Sequence, residues 1–106
     1  SVKGFLHLDK FYSVSALINI QVDSAHATEF IESFQNLPMV YTLVRMYDVY
    51  NVLVGVLAAS LPEIHSFVDQ HIHSASGVKD VIIHVGDVPL IPFAKAQSAE
   101  KKLSTE

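Results

Sequence analysis

The sequence contains no cysteine, which excludes a disulfide framework and any chemistry that needs a thiolate. This composition suits a reducing compartment, so we expect a cytoplasmic protein. Long apolar runs are absent as well, since the longest one, at residues 52–59, has only eight residues. A membrane-spanning helix needs about 20 apolar residues. We therefore expect no membrane partner.

Positive charge is also scarce. Arg45 is the only arginine, the formal net charge is −4, and the six lysines form no basic stripe. Proteins that bind DNA or RNA use clustered lysines and arginines, because these displace the counterions of the phosphate backbone. The chain by itself is therefore a poor candidate for binding nucleic acid.

Apolar residues, by contrast, make up 50% of the 106 positions, which is enough for one modest core. The length fits a single domain. A domain of this size is only marginally stable alone and often gains stability by forming oligomers. The composition thus favours a small globular domain that associates with other subunits.

The spacing of apolar residues predicts six elements, in the order strand, helix, strand, strand, helix, strand. The four strands are predicted at residues 13–22, 40–47, 52–59 and 78–85. The first helix, residues 25–37, follows a capping residue at Asp23 or Ser24. It ends before Pro38, because the residue that precedes a proline disfavours the helical conformation.

The second helix begins at a capping box, in which Ser60 bonds a helical amide and Glu63 reaches back to the cap. It is predicted to stop near Gly77. The resulting βαββαβ order is typical of an α+β, ferredoxin-like fold. We therefore expect a four-stranded antiparallel sheet with two helices on one face.

The opposite, open face of this sheet carries apolar residues too. We place Leu17, Leu43 and Ile82 on it, and the strand at residues 52–59 is apolar on both faces, which implies cover on both. Because two helices cover only one face, we expect the open face to be the interface of a homodimer.

The domain is predicted to occupy residues 13–92. A polar tail, residues 93–106, follows it. The segment before it, residues 1–12, contains several large apolar side chains and is interpreted as a connector that packs on something, such as a partner chain.

Several short motifs resemble the Lrp/AsnC family of transcription regulators, over roughly residues 1–90. VKGF, residues 2–5, is similar to the family's I-x-G-Y exit from its helix-turn-helix domain. LPMV, residues 37–40, is similar to its P-E-V before the second strand. SGVKDV, residues 76–81, is similar to its P-G-V before the last strand. Asn51 and Ser60 lie at the distances expected for the end of the family's T-G-x-[YF]-[DN] turn and for the start of its second helix.

The resemblance implies a ligand site in the sequence YDVYN, which matches that turn. In the family this turn lines a pocket between dimers where amino acids bind. The ligand-binding residues implied for this chain are Tyr47, Asp48, Val49, Tyr50 and Asn51. The implied partners are a homodimer that assembles into a ring of dimers, and a small effector that resembles an amino acid. DNA is implied only through an N-terminal domain that this chain lacks, with residues 1–12 as the connector from it.

Asp48 departs from the family pattern, which has glycine at this position so that backbone amides approach the ligand closely. Aspartate tolerates a left-handed backbone, but it adds a side chain and a negative charge, which favours a ligand amine over a ligand carboxylate. The plain alternative is an ordinary hairpin turn, since aspartate and asparagine are common turn residues.

Other functions are weighed against these. His71 and His73 form an H-x-H pair that suggests zinc, but residues two apart on a helix do not face each other, so we expect no metal. Asp48 with His65 or His84 suggests acid–base catalysis, but no nucleophile motif is present.

We therefore expect no cofactor and no enzyme, and we interpret Phe30, Phe34 and Phe67 as core residues. The alternatives are a stand-alone amino-acid-binding module, a pure oligomerisation scaffold and, least favoured, a small ferredoxin-like monooxygenase or decarboxylase.

Overall fold

The computed structural model describes residues 12–88 of the chain. The predicted connector, apart from Tyr12, lies outside the described residues. So do the VKGF motif, the last four residues of the predicted domain, and the tail at residues 93–106.

Four strands and two helices follow one another in the predicted order. They are β1 (Val14–Val22), α1 (Ala27–Glu32), β2 (Val40–Arg45), β3 (Val52–Ala58), α2 (Leu61–Val68) and β4 (Val78–Asp87), with a π-helical turn (Asp69–His73) directly after α2. Each neighbouring pair of strands is antiparallel, and the order across the sheet is β2-β3-β1-β4. The predicted ferredoxin-like α+β fold is confirmed.

The core lies between the sheet and the two helices. Alternate residues of β1 and β3 face the helices, and in the register Ile18 lies opposite Val54. Burial of an aliphatic side chain of this size stabilises the fold by about 1.5–3 kcal/mol. The ring of Phe34 contacts those of Phe30 and Phe67, at centroid distances of 4.8 and 6.0 Å. The three aromatic residues are therefore core residues, as predicted.

Helix α1 is shorter than the sequence predicted. The Ser33 hydroxyl donates a hydrogen bond to the carbonyl of Phe30, at 2.6 Å, where it competes with the helical backbone. The chain then continues in tighter turns, with the N–H of Phe34 bonded to the carbonyl of Ile31 at 3.0 Å. The N-terminal cap is His26, which makes no side-chain capping bond.

The start of α2 does not form the predicted capping box, because Glu63 reaches past the cap residue to the residue before it. Glu63 Oε2 accepts a hydrogen bond from the N–H of Ala59, at 3.1 Å. Ser60 is the capping residue, but its hydroxyl makes no capping bond. Pro62 lies in the first turn, where its missing N–H leaves no helical bond unmade.

A β-bulge in β2 changes which residues face the helices. Val40 pairs with Val56, but the next pair in the register is Thr42 with Gly55, so Tyr41 is an extra residue. The residues of β2 that follow Tyr41 therefore face the side of the sheet opposite to the one that strict alternation from Val40 would give.

Because of the bulge, one residue predicted at the dimer interface faces the other side of the sheet. Leu43 lies opposite Val54, whose side chain is fully buried, and packs against the core on the helix-facing side of the sheet. The prediction that Leu43 lies on the open face is therefore wrong. Val44, the next residue, lies on the open face instead and is exposed.

Leu17 and Ile82 do lie on the open face, since each alternates with buried or half-buried neighbours that face the helices. Their side chains are 42% and 40% exposed. At Gly55 a Cβ atom would lie 2.4 Å from the Thr42 methyl group and 2.8 Å from the Tyr41 ring. The absence of a side chain there therefore leaves room for the Tyr41 ring on the open face.

Gly77 joins the start of α1 to the turn before β4. Its φ is 87°, and it is the only residue between 12 and 88 with a positive φ. A Cβ atom there would also lie 2.7 Å from the Cβ of His26. The Gly77 carbonyl accepts a hydrogen bond from the N–H of Asp23, at 2.7 Å. Both the backbone conformation and the close contact thus require glycine.

Candidate functional site

The YDVYN sequence forms the loop between β2 and β3. The N–H of Met46 donates to the carbonyl of Asn51 at 2.8 Å and closes this loop, which we call the hairpin 46–51. Tyr47 is 99% exposed and Val49 is 63% exposed. Large side chains of this kind, held in solvent at the end of the sheet, are available to contact a ligand or another subunit.

Asn51 anchors the hairpin to the central strand β1. Its Oδ1 accepts a hydrogen bond from the N–H of Val22, and its Nδ2 donates to the carbonyl of the same residue, both at 2.9 Å. The backbone pairing of β1 with β3 reaches only to Ile20 and Val52. The Asn51 amide therefore continues the ladder as a backbone group would, a structural role that the sequence did not predict.

Asp48 does not have the left-handed backbone that would explain an aspartate at the glycine position of the family pattern. Its φ is not positive, so the left-handed backbone that aspartate tolerates is not used here. Its Oδ1 accepts a hydrogen bond from the N–H of Val49, at 2.7 Å. Asp48 is exposed, and its carboxylate adds negative charge at the tip of the hairpin.

Tyr50 ties the hairpin to the far edge of the sheet. Its hydroxyl donates a hydrogen bond to Oδ2 of Asp80, a residue of β4 that pairs in register with Gln21 of β1. The contact thus spans the width of β1. The hydrogen bond to the Asp80 carboxylate raises the pKa of Tyr50, and desolvation and charge repulsion raise it further.

Arg45 lies near the hairpin, although no sequence motif selected it. It is the last residue of β2, and its Nη1 donates a hydrogen bond to Oγ1 of Thr28 in α1, at 3.2 Å. This contact links the base of the hairpin to the helical layer.

The hairpin residues do not line the groove found on the helical side of the domain. That groove has a volume of about 300 Å³ and is lined by Met39, Pro62, Glu63, Ser66, Phe67, Gln70 and His71. His71 packs its ring on Phe67 and Phe34, at centroid distances of 4.9 and 6.2 Å. No pattern in the sequence indicated this groove.

The other chemistry weighed from the sequence concerns a metal site and an acid–base pair. Within residues 12–88, no three histidine, aspartate or glutamate side chains are grouped as metal ligands. In the same part of the chain, no hydrogen bond or ion pair joins Asp48 to His65 or His84. A search of the described helices also finds none long and apolar enough to cross a membrane.

The family described as the Lrp/AsnC ligand binding domain matches residues 15–85, which include the hairpin and all four strands to near the end of β4. No curated protein matches the chain.

Solved structures with the same fold differ in how much of their own length this chain matches. The hypothetical protein PHS023 from Pyrococcus horikoshii (TM-score 0.66, 18% identity) is matched over 73% of this chain and 93% of its own. TTHA0845 from Thermus thermophilus (TM-score 0.66, 20% identity) is matched over 72% and 95%. AsnC from E. coli (TM-score 0.68, 16% identity) is matched over 86% of this chain but only 58% of its own. At these identities the likeness shows the fold alone.

The role of Asn51 predicts a loss of stability on substitution. Asn51→Ala removes both bonds to Val22 and leaves two backbone groups without these partners. We expect the free energy of unfolding, measured by denaturant titration at fixed protein concentration, to fall by about 1–3 kcal/mol. Asp48→Ala, an exposed change in the same hairpin, is the control and should cost less than about 0.5–1 kcal/mol. Equally small losses for the two variants would contradict the anchoring role.

The contact of Tyr50 with Asp80 predicts a pH dependence. Because the folded pKa is raised above the unfolded value of about 10, the contact stabilises the fold below about pH 10, and this contribution is lost as the pH rises through the folded pKa. In an absorbance titration of tyrosinate, Tyr50 should therefore ionise above the usual pH range of a tyrosine, and Asp80→Asn should lower the pKa of Tyr50. Tyr50→Phe assigns the signal. Identical curves for Asp80→Asn and the wild type would show that the contact does not form in solution.

Proposed function

Because the chain belongs to the Lrp/AsnC ligand binding domain family, we propose that it is the effector-binding and oligomerisation domain of a transcription regulator. The family match over residues 15–85 is the observation that carries this proposal. The hairpin 46–51, which side-chain bonds hold at one end of the sheet, supplies the candidate effector site.

The effector we propose is a small molecule that resembles an amino acid. The residues proposed to contact it are Tyr47, Asp48, Val49 and Tyr50. Asn51 is proposed to position the hairpin through its two bonds to Val22. Since Tyr47 stands almost wholly in solvent within one chain, a pocket around it requires a second subunit. We therefore place the effector between subunits.

The proposed assembly is a homodimer through the open face of the sheet, and a ring of such dimers. The apolar side chains exposed on that face are Leu17, Tyr41, Val44 and Ile82. Together they form a patch of the kind that monomeric proteins rarely leave in contact with water. A symmetric dimer would cover it with the same patch of a second copy.

An effector alters such an assembly only if it binds two arrangements of the subunits with different affinities. In a regulator, that shift would be transmitted to attached DNA-binding domains. This chain spans 58% of the length of AsnC from E. coli. DNA contact, which the acidic composition does not favour, is proposed only through such a further domain.

A second candidate function is a stand-alone module that binds the same class of effector without contacting DNA. It is favoured by PHS023, 93% of whose length is matched by this chain. A scaffold that only forms oligomers is the remaining alternative. Binding of an effector separates the scaffold from both other functions.

The proposed dimer predicts the effect of charge on the open face. Leu17→Glu places a carboxylate at the centre of the patch, where burial against a second subunit would be costly. Light scattering at micromolar concentration should give a dimer or larger for the wild type and a monomer for this variant. Val49→Glu puts the same charge on the exposed hairpin and should keep the dimer. A monomeric wild type would overturn the proposed interface.

The proposed effector site predicts ligand selectivity. In a thermal-shift screen of amino acids and related amines at millimolar concentration, a ligand that binds the folded state raises the melting temperature. We expect compounds with an amine to be favoured, and Asp48→Asn to weaken them by about 1–3 kcal/mol in titration calorimetry. Asparagine keeps an oxygen for the Val49 N–H but removes the charge. Unchanged affinity in this variant would remove Asp48 from the site, and no shift with any compound would favour the scaffold.

A further inference from the structure

We propose that the groove on the helical side of the domain is a ligand site of its own, and that it takes a small aromatic amine. By this we mean a flat ring system joined to a protonated amine, without a carboxylate. The hairpin 46–51 does not line this groove. The site is therefore independent of the proposed function, since it needs neither an effector at the hairpin nor a second subunit.

Two parts of the fold enclose the groove. Helix α2 and the π-helical turn after it lie on one side, and Met39, just before β2, lies on the other. The Met39 carbonyl accepts a hydrogen bond from the N–H of Leu57 in β3, at 2.9 Å, which fixes this residue to the sheet. Small-molecule sites have volumes of about 300–1,000 Å³. The groove, at about 300 Å³, therefore has room for a ligand with one or two rings.

The residues that α2 and the π-helical turn contribute to the groove form two rows, in which neighbours are four positions apart. The first row is Glu63, Phe67 and His71, and the second is Pro62, Ser66 and Gln70. Side chains at this spacing lie on one face of a helix, about 5–6 Å from one another. A carboxylate and two aromatic rings thus follow one another along the groove. A two-carbon linker between a ring and an amine spans a similar distance.

The core holds the two rings of the first row in place. Phe67 is only 4% exposed, so it forms the floor of the groove. The His71 ring packs on it at a centroid distance of 4.9 Å, tilted by 48°, and also contacts Phe34 at 6.2 Å. A further flat ring packs favourably on such a pair in an offset or edge-to-face geometry. The Met39 thioether favours aromatic neighbours as well, so the groove favours an aromatic body over an aliphatic one.

The charge of the groove decides between an amine and an acid. Glu63 supplies a carboxylate, whereas no lysine or arginine of residues 12–88 lines the groove. Its Oε2 accepts a hydrogen bond from the N–H of Ala59, at 3.1 Å, which restrains the carboxylate and leaves Oε1 for a ligand. An ammonium is thus attracted, and the carboxylate of a free amino acid is repelled. This charge distinguishes the groove from the hairpin, for which an effector that resembles an amino acid is proposed.

The second row supplies hydrogen bonds at the rim of the groove. Ser66 and Gln70 are exposed, and the Gln70 carboxamide can both donate and accept. The backbone carbonyl of Gln70 is already bonded, since it accepts a hydrogen bond from the Ser74 hydroxyl at 2.7 Å. Gln70 lies in the π-helical turn, a rare conformation that is frequent at functional sites. These groups suit a polar substituent on the ring, such as the N–H of an indole.

The test is a titration of the isotope-labelled chain with tryptamine, followed by backbone amide chemical shifts in NMR. We expect saturable shifts at residues 62–71 at millimolar concentration. Indole-3-propionate has the same ring with a carboxylate in place of the amine, and butylamine has the amine without the ring. Both should therefore bind more weakly by about 10-fold or more.

Two variants with matched controls separate the charge from the shape. Glu63→Gln keeps an oxygen for the Ala59 N–H but removes the charge, and it should weaken tryptamine by about 2-fold to 5-fold. Asp69→Asn removes a charge from the same helical segment outside the groove and should have no effect. Ser66→Phe fills the groove from an exposed position and should abolish the shifts. His65→Phe adds the same ring at an exposed neighbour outside the groove and should preserve them.

Three results would overturn the proposed amine site. They are no saturable shift with tryptamine, equal binding of tryptamine and indole-3-propionate, and unchanged binding to either Glu63→Gln or Ser66→Phe. Tryptamine shifts confined to residues 46–51 would overturn it as well, while supporting a ligand site at the hairpin. Because amino acids are titrated separately, failure at the groove leaves the proposed function standing.

Discussion

The paired hydrogen bonds between the Asn51 carboxamide and the backbone of Val22 hold in place the end of the sheet that carries the candidate site. Val22 pairs on its other side with Val78, after a shift in register, so this one residue joins β1 to both of its neighbours where the ladders end. The bond from Tyr50 to Asp80 and the bond from Arg45 to Thr28 then fix the two sides of the same hairpin. These bonds restrain an exposed loop against regular secondary structure, and a recognition site requires such restraint.

The second constraint is that two helices cover only one face of a four-stranded sheet. The helix-facing side of β1 and β3 is buried except at Val14, which is half-buried, whereas the open face combines polar residues with exposed apolar ones. The bulge at Tyr41 arranges this face, because it turns Leu43 into the core and leaves Val44 and the Tyr41 ring outside. The candidate site therefore lies at the end of the sheet, whereas the proposed dimer interface lies on its open face.

The sequence was sufficient for the fold because the alternation in β1 and the two-sided apolar run of β3 are strong local signals. It was insufficient wherever one residue changed the local register or a distant partner decided the outcome. The bulge in β2 puts Leu43 on the face opposite to the predicted one, and the bond of the Ser33 hydroxyl to the Phe30 carbonyl accompanies the early end of α1. The location of the candidate site came from a resemblance in the YDVYN turn. The anchoring role of Asn51 and the position of Arg45 beside Thr28 depend on contacts across 29 and 17 residues, which no local pattern contains.

The central claim is the proposal that the hairpin 46–51 binds a small molecule that resembles an amino acid. Backbone amide chemical shifts, recorded by NMR while the protein is titrated with amino acids, test it most directly because they locate the contact as well as detect it. The account predicts saturable shifts that are largest at residues 47–51 and small in the helical groove around Ser66 and His71. Shifts confined to that groove, or no saturable shift with any amino acid, would contradict it.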